Sequence, residues 1–205
     1  MASAQQISSV SSLHADAELA VAAASCVPST ALQAGMRAPL FSLAGADGRQ
    51  VALEGLLDAG PVVLHFFRGA WCADGVRSLR EFAAVAPSLA ALGASAVAIG
   101  PGGTPPAPAL ATLQDTDMRI ARSYGLAFNL PYSLRPQYRR LGYRPPDAKD
   151  DAGDWLVPVP AVYLLDRDGI IVLASVERDY RKRFDAAPLL GALKAISPIK
   201  RKYRA

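Results

Sequence analysis

The sequence predicts an α/β layered domain built on a central mixed sheet. Three observations carry that reading. The apolar runs Val62 to Phe67 and Ser95 to Ile99 have the length of buried strands. Apolar positions at helical spacing follow the first run. Ala161 to Leu165 and Ile170 to Val176 flank the turn Asp166-Arg167-Asp168-Gly169, a hairpin that closes the alternation of strands and helices.

The elements follow in chain order. Ala15 to Cys26 is alanine-rich and suits a helix, which Val27-Pro28-Ser29 stops. Gly35 to Pro39 is a connector, Leu40 to Leu43 a short strand, Ala44 to Val51 a hairpin around Asp47-Gly48, and Leu53 to Leu57 a helical turn. After Phe67, the spacing of Val76, Leu79, Phe82, Ala83, Ala86, Leu89 and Leu92 predicts a helix, with Pro87 expected to kink or break it. Gly100 to Pro108, with three glycines and four prolines, reads as a loop. Ala111 to Gln114 suits a short strand, Asp117 to Tyr124 a helix with Met118, Ala121 and Tyr124 inward, and Pro131 to Leu141 a second short helix. In Pro145 to Asp154, the acids Asp147, Asp150, Asp151 and Asp154 miss the spacing of a calcium loop and suit a solvated one. Asp185 to Ile196 is the closing helix. Residues 1–34 therefore form an N-terminal helical extension, 35–196 the main domain, and 197–205 a basic tail.

At 205 residues with 51% of them apolar, the chain can bury about 70% of its extended surface in one core. Two cysteines, Cys26 and Cys72, are too few for a disulfide scaffold and suit a reducing, cytoplasmic setting. The first residues lack the pattern of a secretory signal, and no uncharged apolar run is long enough to span a bilayer, so no membrane association is expected. The net charge of +4 is concentrated at the end: from Glu177 to Ala205 nine Lys or Arg stand against three Asp or Glu. Lys200-Arg201-Lys202-Tyr203-Arg204 has the charge to touch an anionic surface. No nucleic-acid motif accompanies it, and a solvated end is the commoner form. No cofactor or metal is expected.

Cys72 is the chemically informative residue. Arg68-Gly69 ends the strand before it and the helix begins after it, so Cys72 falls at or just before a helix amino terminus, where unpaired backbone N–H groups gather. A free thiol of pKa near 8.5 is only about 3% thiolate at neutral pH. A helix terminus favouring the anion by up to ~2 kcal/mol would ionise roughly half of it. Arg68, Arg77 and Arg80 are near in sequence and would push the same way. His65 invites comparison with a Cys-His pair, but a lone histidine in an apolar strand is more often a core residue with a satisfied ring. Asp74 is a candidate proton acceptor whose charge would also oppose the thiolate.

Three segments, Phe66-Phe67-Arg68-Gly69-Ala70-Trp71-Cys72, Ala161-Val162-Tyr163-Leu164-Leu165-Asp166-Arg167-Asp168-Gly169 and Asp179-Tyr180-Arg181, resemble the peroxiredoxin-like branch of the alkyl hydroperoxide reductase and thiol-specific antioxidant family. Met36 to Leu43 and Trp155 to Pro160 extend the resemblance, which spans about Gly35 to Ile196. It implies a thioredoxin-like fold for residues 35–196, with a cis Val159-Pro160 bond facing the thiol. It also implies thiol-dependent reduction of peroxides or disulfides through a single cysteine, Cys72, with Arg68, Trp71 and Pro160 supporting the thiolate or substrate. An external thiol would be the reductant, and Cys26 is the only internal candidate for a resolving thiol. A homodimer is compatible with this picture. Members of the branch usually read Trp-Cys-Pro-X-Cys, whereas Ala73 and Gly75 stand here in place of the proline and the second cysteine. The peroxidase signature Pro-X-X-X-Thr-X-X-Cys admits a second alignment, placing its cysteine at Gly75 and its threonine at Cys72. Pro160 also stands where many members carry an arginine. Two other functions remain open: a catalytically degenerate thioredoxin-like binding domain, and an anion-surface binder using the tail.

Overall fold

The structure is a computed structural model that describes residues 17–18, 21–22, 25, 30–103, 110–145 and 153–196. Cys26, the stop at Val27-Pro28-Ser29, most of the proline-rich loop, Asp147, Asp150, Asp151 and the basic tail lie outside the described residues. Ala17, Glu18, Val21, Ala22 and Ser25 are helical, as the alanine-rich composition predicts.

The strands β1 (Ser42–Gly45) and β2 (Gln50–Ala52) form the hairpin around Asp47-Gly48, and α1 (Leu53–Ala59) follows directly. Next come β3 (Val62–Phe66), α2 (Ala73–Ala91), β4 (Ser95–Gly100) and β5 (Ala111–Gln114). Then follow α3 (Arg119–Ser123), β6 (Ala127–Asn129), a 3-10 turn at Tyr132–Leu134 and α4 (Arg135–Arg140). The chain continues through β7 (Leu156–Pro158), β8 (Ala161–Leu165), β9 (Ile171–Val176) and α5 (Ala187–Ile196). Seven strands make one mixed sheet in the order β2-β1-β5-β4-β3-β8-β9, with β3, β4 and β5 parallel and the other pairings antiparallel. The strands β6 and β7 form a separate two-stranded sheet.

The central strand β3 is buried along its whole length, and its alternation divides the core. Val62, Leu64 and Phe66 join one apolar cluster with Tyr124, Tyr138, Tyr143, Trp155 and Cys72. Val63 and Phe67 join the other, covered by Leu79, Phe82 and Leu89 of α2 and by Leu189 and Leu193 of α5.

The break at Pro87, one of two alternatives, does not occur, and two further expectations are corrected. Pro87 neither breaks nor ends α2, which runs through it to Ala91; Pro87 is exposed, where water can take the Ala83 carbonyl that loses its donor. Val159-Pro160 is trans, since no cis peptide bond occurs among the described residues. The backbone there is held in that form on both sides, the Val159 N–H donating to the Leu126 carbonyl (2.6 Å) and the Pro160 carbonyl accepting from Glu177 N–H (2.9 Å). Pro131 to Leu141 divides into the 3-10 turn and α4 instead of forming one helix.

Asp115, buried at the end of β5, accepts the amides of Ile120 (3.0 Å) and Ala121 (2.7 Å) and so closes the start of α3. Burial raises its carboxyl above the usual range, and those two bonds oppose the shift. At the other end of α3, Gly125 adopts φ +69°, and a Cβ there would lie 1.8 Å from the Thr30 carbonyl oxygen. That contact admits only glycine and lets the segment at Thr30 to Leu32 dock on the helix end, through Leu32 N–H to the Tyr124 carbonyl at 3.1 Å.

Candidate active site

Cys72 is the N-cap residue of α2, in extended conformation (φ −103°, ψ 117°), and its carbonyl accepts the Val76 amide at 2.9 Å. It is a free thiol, 8% exposed. The backbone reaches that position through a turn in which Cys72 N–H donates to the Gly69 carbonyl (3.3 Å). Gly69 has φ +104°, and an added Cβ would sit 2.6 Å from Pro101 Cγ, so the turn is pressed against the loop after β4 and only glycine fits. The predicted placement of the thiol at a helix amino end is therefore met, with no side chain of its own or a neighbour capping the amides.

Arg68 is buried, at 2% exposure, one residue past Phe67 on the Cys72 side of the sheet. Its Nη2 donates to the Tyr138 hydroxyl at 2.7 Å, and its guanidinium carbon lies 3.7 Å from the Tyr180 ring centroid and 4.9 Å from that of Trp71. Among the described residues no carboxylate pairs with it, and Nε has no hydrogen-bond partner. A buried cation without an anion is costly, and here ring faces and one hydroxyl carry the compensation. The cage continues outward: Trp71 packs on Tyr143 (4.8 Å) and Tyr138 (5.1 Å), and Tyr143 donates a short hydrogen bond to the Leu156 carbonyl. Burial raises the Tyr143 hydroxyl pKa, with Arg68 pulling the other way.

The remaining sequence candidates separate from this cluster. Arg77 pairs with Asp74 at 2.6 Å and donates to the Arg181 carbonyl at 2.8 Å, so the carboxylate and the guanidinium occupy each other; Arg80 is exposed. Asp179 is held by Arg181 at 2.7 Å, a bond that keeps its carboxyl below the usual range. His65 points to the opposite face of the sheet, stacked on Phe82 (4.7 Å) with Nε2 3.1 Å from the Ser78 hydroxyl, and burial pushes it down to about 3. Among the described residues no Cys-His pair exists. Pro160 lines a cavity on that same face together with Tyr180.

Tyr138, Tyr143 and Tyr180 are the site residues that sequence reasoning misses. Tyr180 stands in the quoted Asp179-Tyr180-Arg181 segment, which is the only signal; Tyr138 is 70 residues from its partner and has none. Among the described residues no helix is long and apolar enough to cross a membrane, and no group of three His, Cys, Asp or Glu could hold a metal.

Solved structures similar to this chain include peroxiredoxins. Peroxidoxin BcpB from Mycobacterium tuberculosis superposes with a TM-score of 0.57 at 22% identity, covering 80% of this chain and 98% of that one. Thiol peroxidase from Chromobacterium violaceum gives 0.59 at 17% identity, covering 80% and 88%. Plasmodium vivax 2-Cys peroxiredoxin gives 0.59 at 16% identity, covering 80% and 82%. These likenesses establish the thioredoxin-like fold. None of the curated proteins matches the sequence. The AhpC/TSA family profile matches residues 34–174, more than half of the chain, and the chain therefore belongs to the AhpC/TSA family of peroxiredoxin-like, thiol-dependent oxidoreductases.

Proposed function

We propose that Cys72 is the peroxidatic thiol of a single-cysteine peroxidase. The observation that carries this is Cys72 at the N-cap of α2, four residues after a buried guanidinium that has no carboxylate partner among the described residues. Helix-end amides and a desolvated cation both favour an anion, and the thiolate is the attacking form. The thiolate sulfur attacks the terminal oxygen of a hydroperoxide. The O–O bond breaks, the electron pair leaves on the other oxygen, the one bonded to the organic group or hydrogen, and that oxygen takes a proton to become an alcohol or water. Cys72 is left as a sulfenic acid. One external thiol condenses with it, releasing water and forming a mixed disulfide. A second external thiol attacks that disulfide, freeing Cys72 and leaving the external pair oxidised.

Under this reading Arg68 steadies the sulfur anion and the leaving oxygen, while Trp71 and Tyr138 hold the guanidinium in place. Pro160 takes no step in this chemistry: it lines the cavity on the other face, together with Tyr180, which stacks on Arg68. The partners are a peroxide, an external thiol and, as in the resemblance, a second copy of the chain. Cys26 has no required role, and the two-cysteine composition fits a reducing cytoplasm. The test is peroxide consumption in the presence of a small thiol, with mass detection of sulfenic acid on Cys72. Wild type should turn over and Cys72→Ser should fall to the uncatalysed background. Equal consumption by both, or no oxidation of Cys72 at stoichiometric peroxide, would reject the assignment and favour the binding-domain alternative.

A further inference from the structure

A cavity of about 370 Å³ opens on the sheet face opposite Cys72, between β8, β9, α2 and the start of α5. Its size lies in the range of small-molecule sites. Most of its wall is hydrocarbon, including Val162, Leu173, Phe184 and Leu189. Four charged residues stand at its edge: Lys182 pairs with Glu177 at 3.0 Å, Arg183 pairs with Glu81 at 3.5 Å, and Asp185 accepts the Ala187 amide at 3.0 Å. Inside, the polar feature is His65, 2% exposed, with the Ser78 hydroxyl on Nε2 and no partner on Nδ1.

We propose that this cavity is a second binding site, for a small uncharged molecule with an apolar body and a hydroxyl head that hydrogen-bonds His65 Nδ1. A neutral imidazole has one donor and one acceptor nitrogen, so whichever tautomer Ser78 selects, Nδ1 is left with one unmet bond. A hydroxyl both donates and accepts and meets either case. Burial holds the ring neutral and the four rim charges, Glu177, Asp185, Lys182 and Arg183, sum to zero, so a charged head seated at His65 would find no counter-ion there. Tyr180 lines the cavity and also stacks on Arg68, so an occupant would rest against the back of the Cys72 cage.

The experiment follows the ring-nitrogen NMR signals of His65, one of two histidines in the chain, during titration of the full chain with cyclohexanol, cyclohexanecarboxylate and cyclohexylammonium. Cyclohexanol should move Nδ1 saturably and bind at least ~10-fold more tightly than either charged analogue. Ser175→Leu, at an exposed position of β9 that borders the cavity, should weaken cyclohexanol by a similar factor by filling the space. An unmoved Nδ1 signal, equal affinity for the charged analogues, or unchanged affinity in Ser175→Leu would each overturn the proposal. The selectivity series needs no variant, and no step uses the thiol, so the result is independent of the peroxidase assignment.

Discussion

His65 and Arg68 leave the same end of β3 on opposite faces of the sheet, and both are buried at 2% exposure. On one face the base is disarmed. An imidazole can shed its proton, so desolvation drives His65 to about 3 and the ring survives as an aromatic plate against Phe82. On the other face shedding the proton is not open to a guanidinium, and the structure surrounds it with Tyr180, Trp71 and the Tyr138 hydroxyl. The difference teaches where negative charge is wanted. The His65 face buries a neutral ring, whereas on the Arg68 face the buried cation meets no carboxylate among the described residues and a thiol follows four residues on.

The comparison breaks most sharply at Arg68. Arg68→Met should slow oxidation of Cys72 by peroxide ~100-fold, measured by stopped flow, because a fixed cation at the developing charge is lost. Its thermal midpoint should stay within a few degrees, since apolar side chains often replace buried charges without loss. An unchanged rate would detach the cation from the chemistry.

The next largest effect belongs to the other face. The folded-state pKa of His65 lies below its unfolded value of 6.5, so the unfolded chain binds the proton first. The stability tied to this ring is complete above about pH 6.5 and drains as pH falls toward 3, by about 2 kcal/mol between pH 7 and pH 5. Urea unfolding at both pH values should show His65→Phe losing about 2 kcal/mol less than wild type over that interval; parallel losses would mean that the ring is hydrated.

The smallest effect sharpens the account of the cage. Tyr138→Phe removes the hydroxyl that Arg68 donates to and should cost about 1 kcal/mol. In the Arg68→Met background the same change should cost clearly less, and strict additivity would show that the 2.7 Å bond contributes nothing.

Legibility in the sequence followed the range of the interactions. The strand β3, the hairpin at Asp166 to Gly169 and the capping position of Cys72 were readable because apolar runs, turn residues and helical spacing are local signals. The strands β6 and β7 were not, being three residues each with no alternation to detect. The resemblance misplaced a cis bond at Pro160, which is trans, and of the kink or break that local rules allow at Pro87 the break does not occur, the helix continuing through its exposed position. The burial of Arg68 has no local signal, because the rings that cover it arrive from α4 and from the segment after β9, contacts no window of sequence displays.

Gly75 limits what the start of this helix accepts. Packed where α2 meets the strand end, it leaves 3.0 Å to the Gly69 carbonyl oxygen and 3.3 Å to Arg68 Cβ from any carbon placed there. A second thiol at this position would therefore need that carbonyl or Arg68 to give by a few tenths of an ångström, so the room for another cysteine and the placement of the guanidinium are set by one and the same contact.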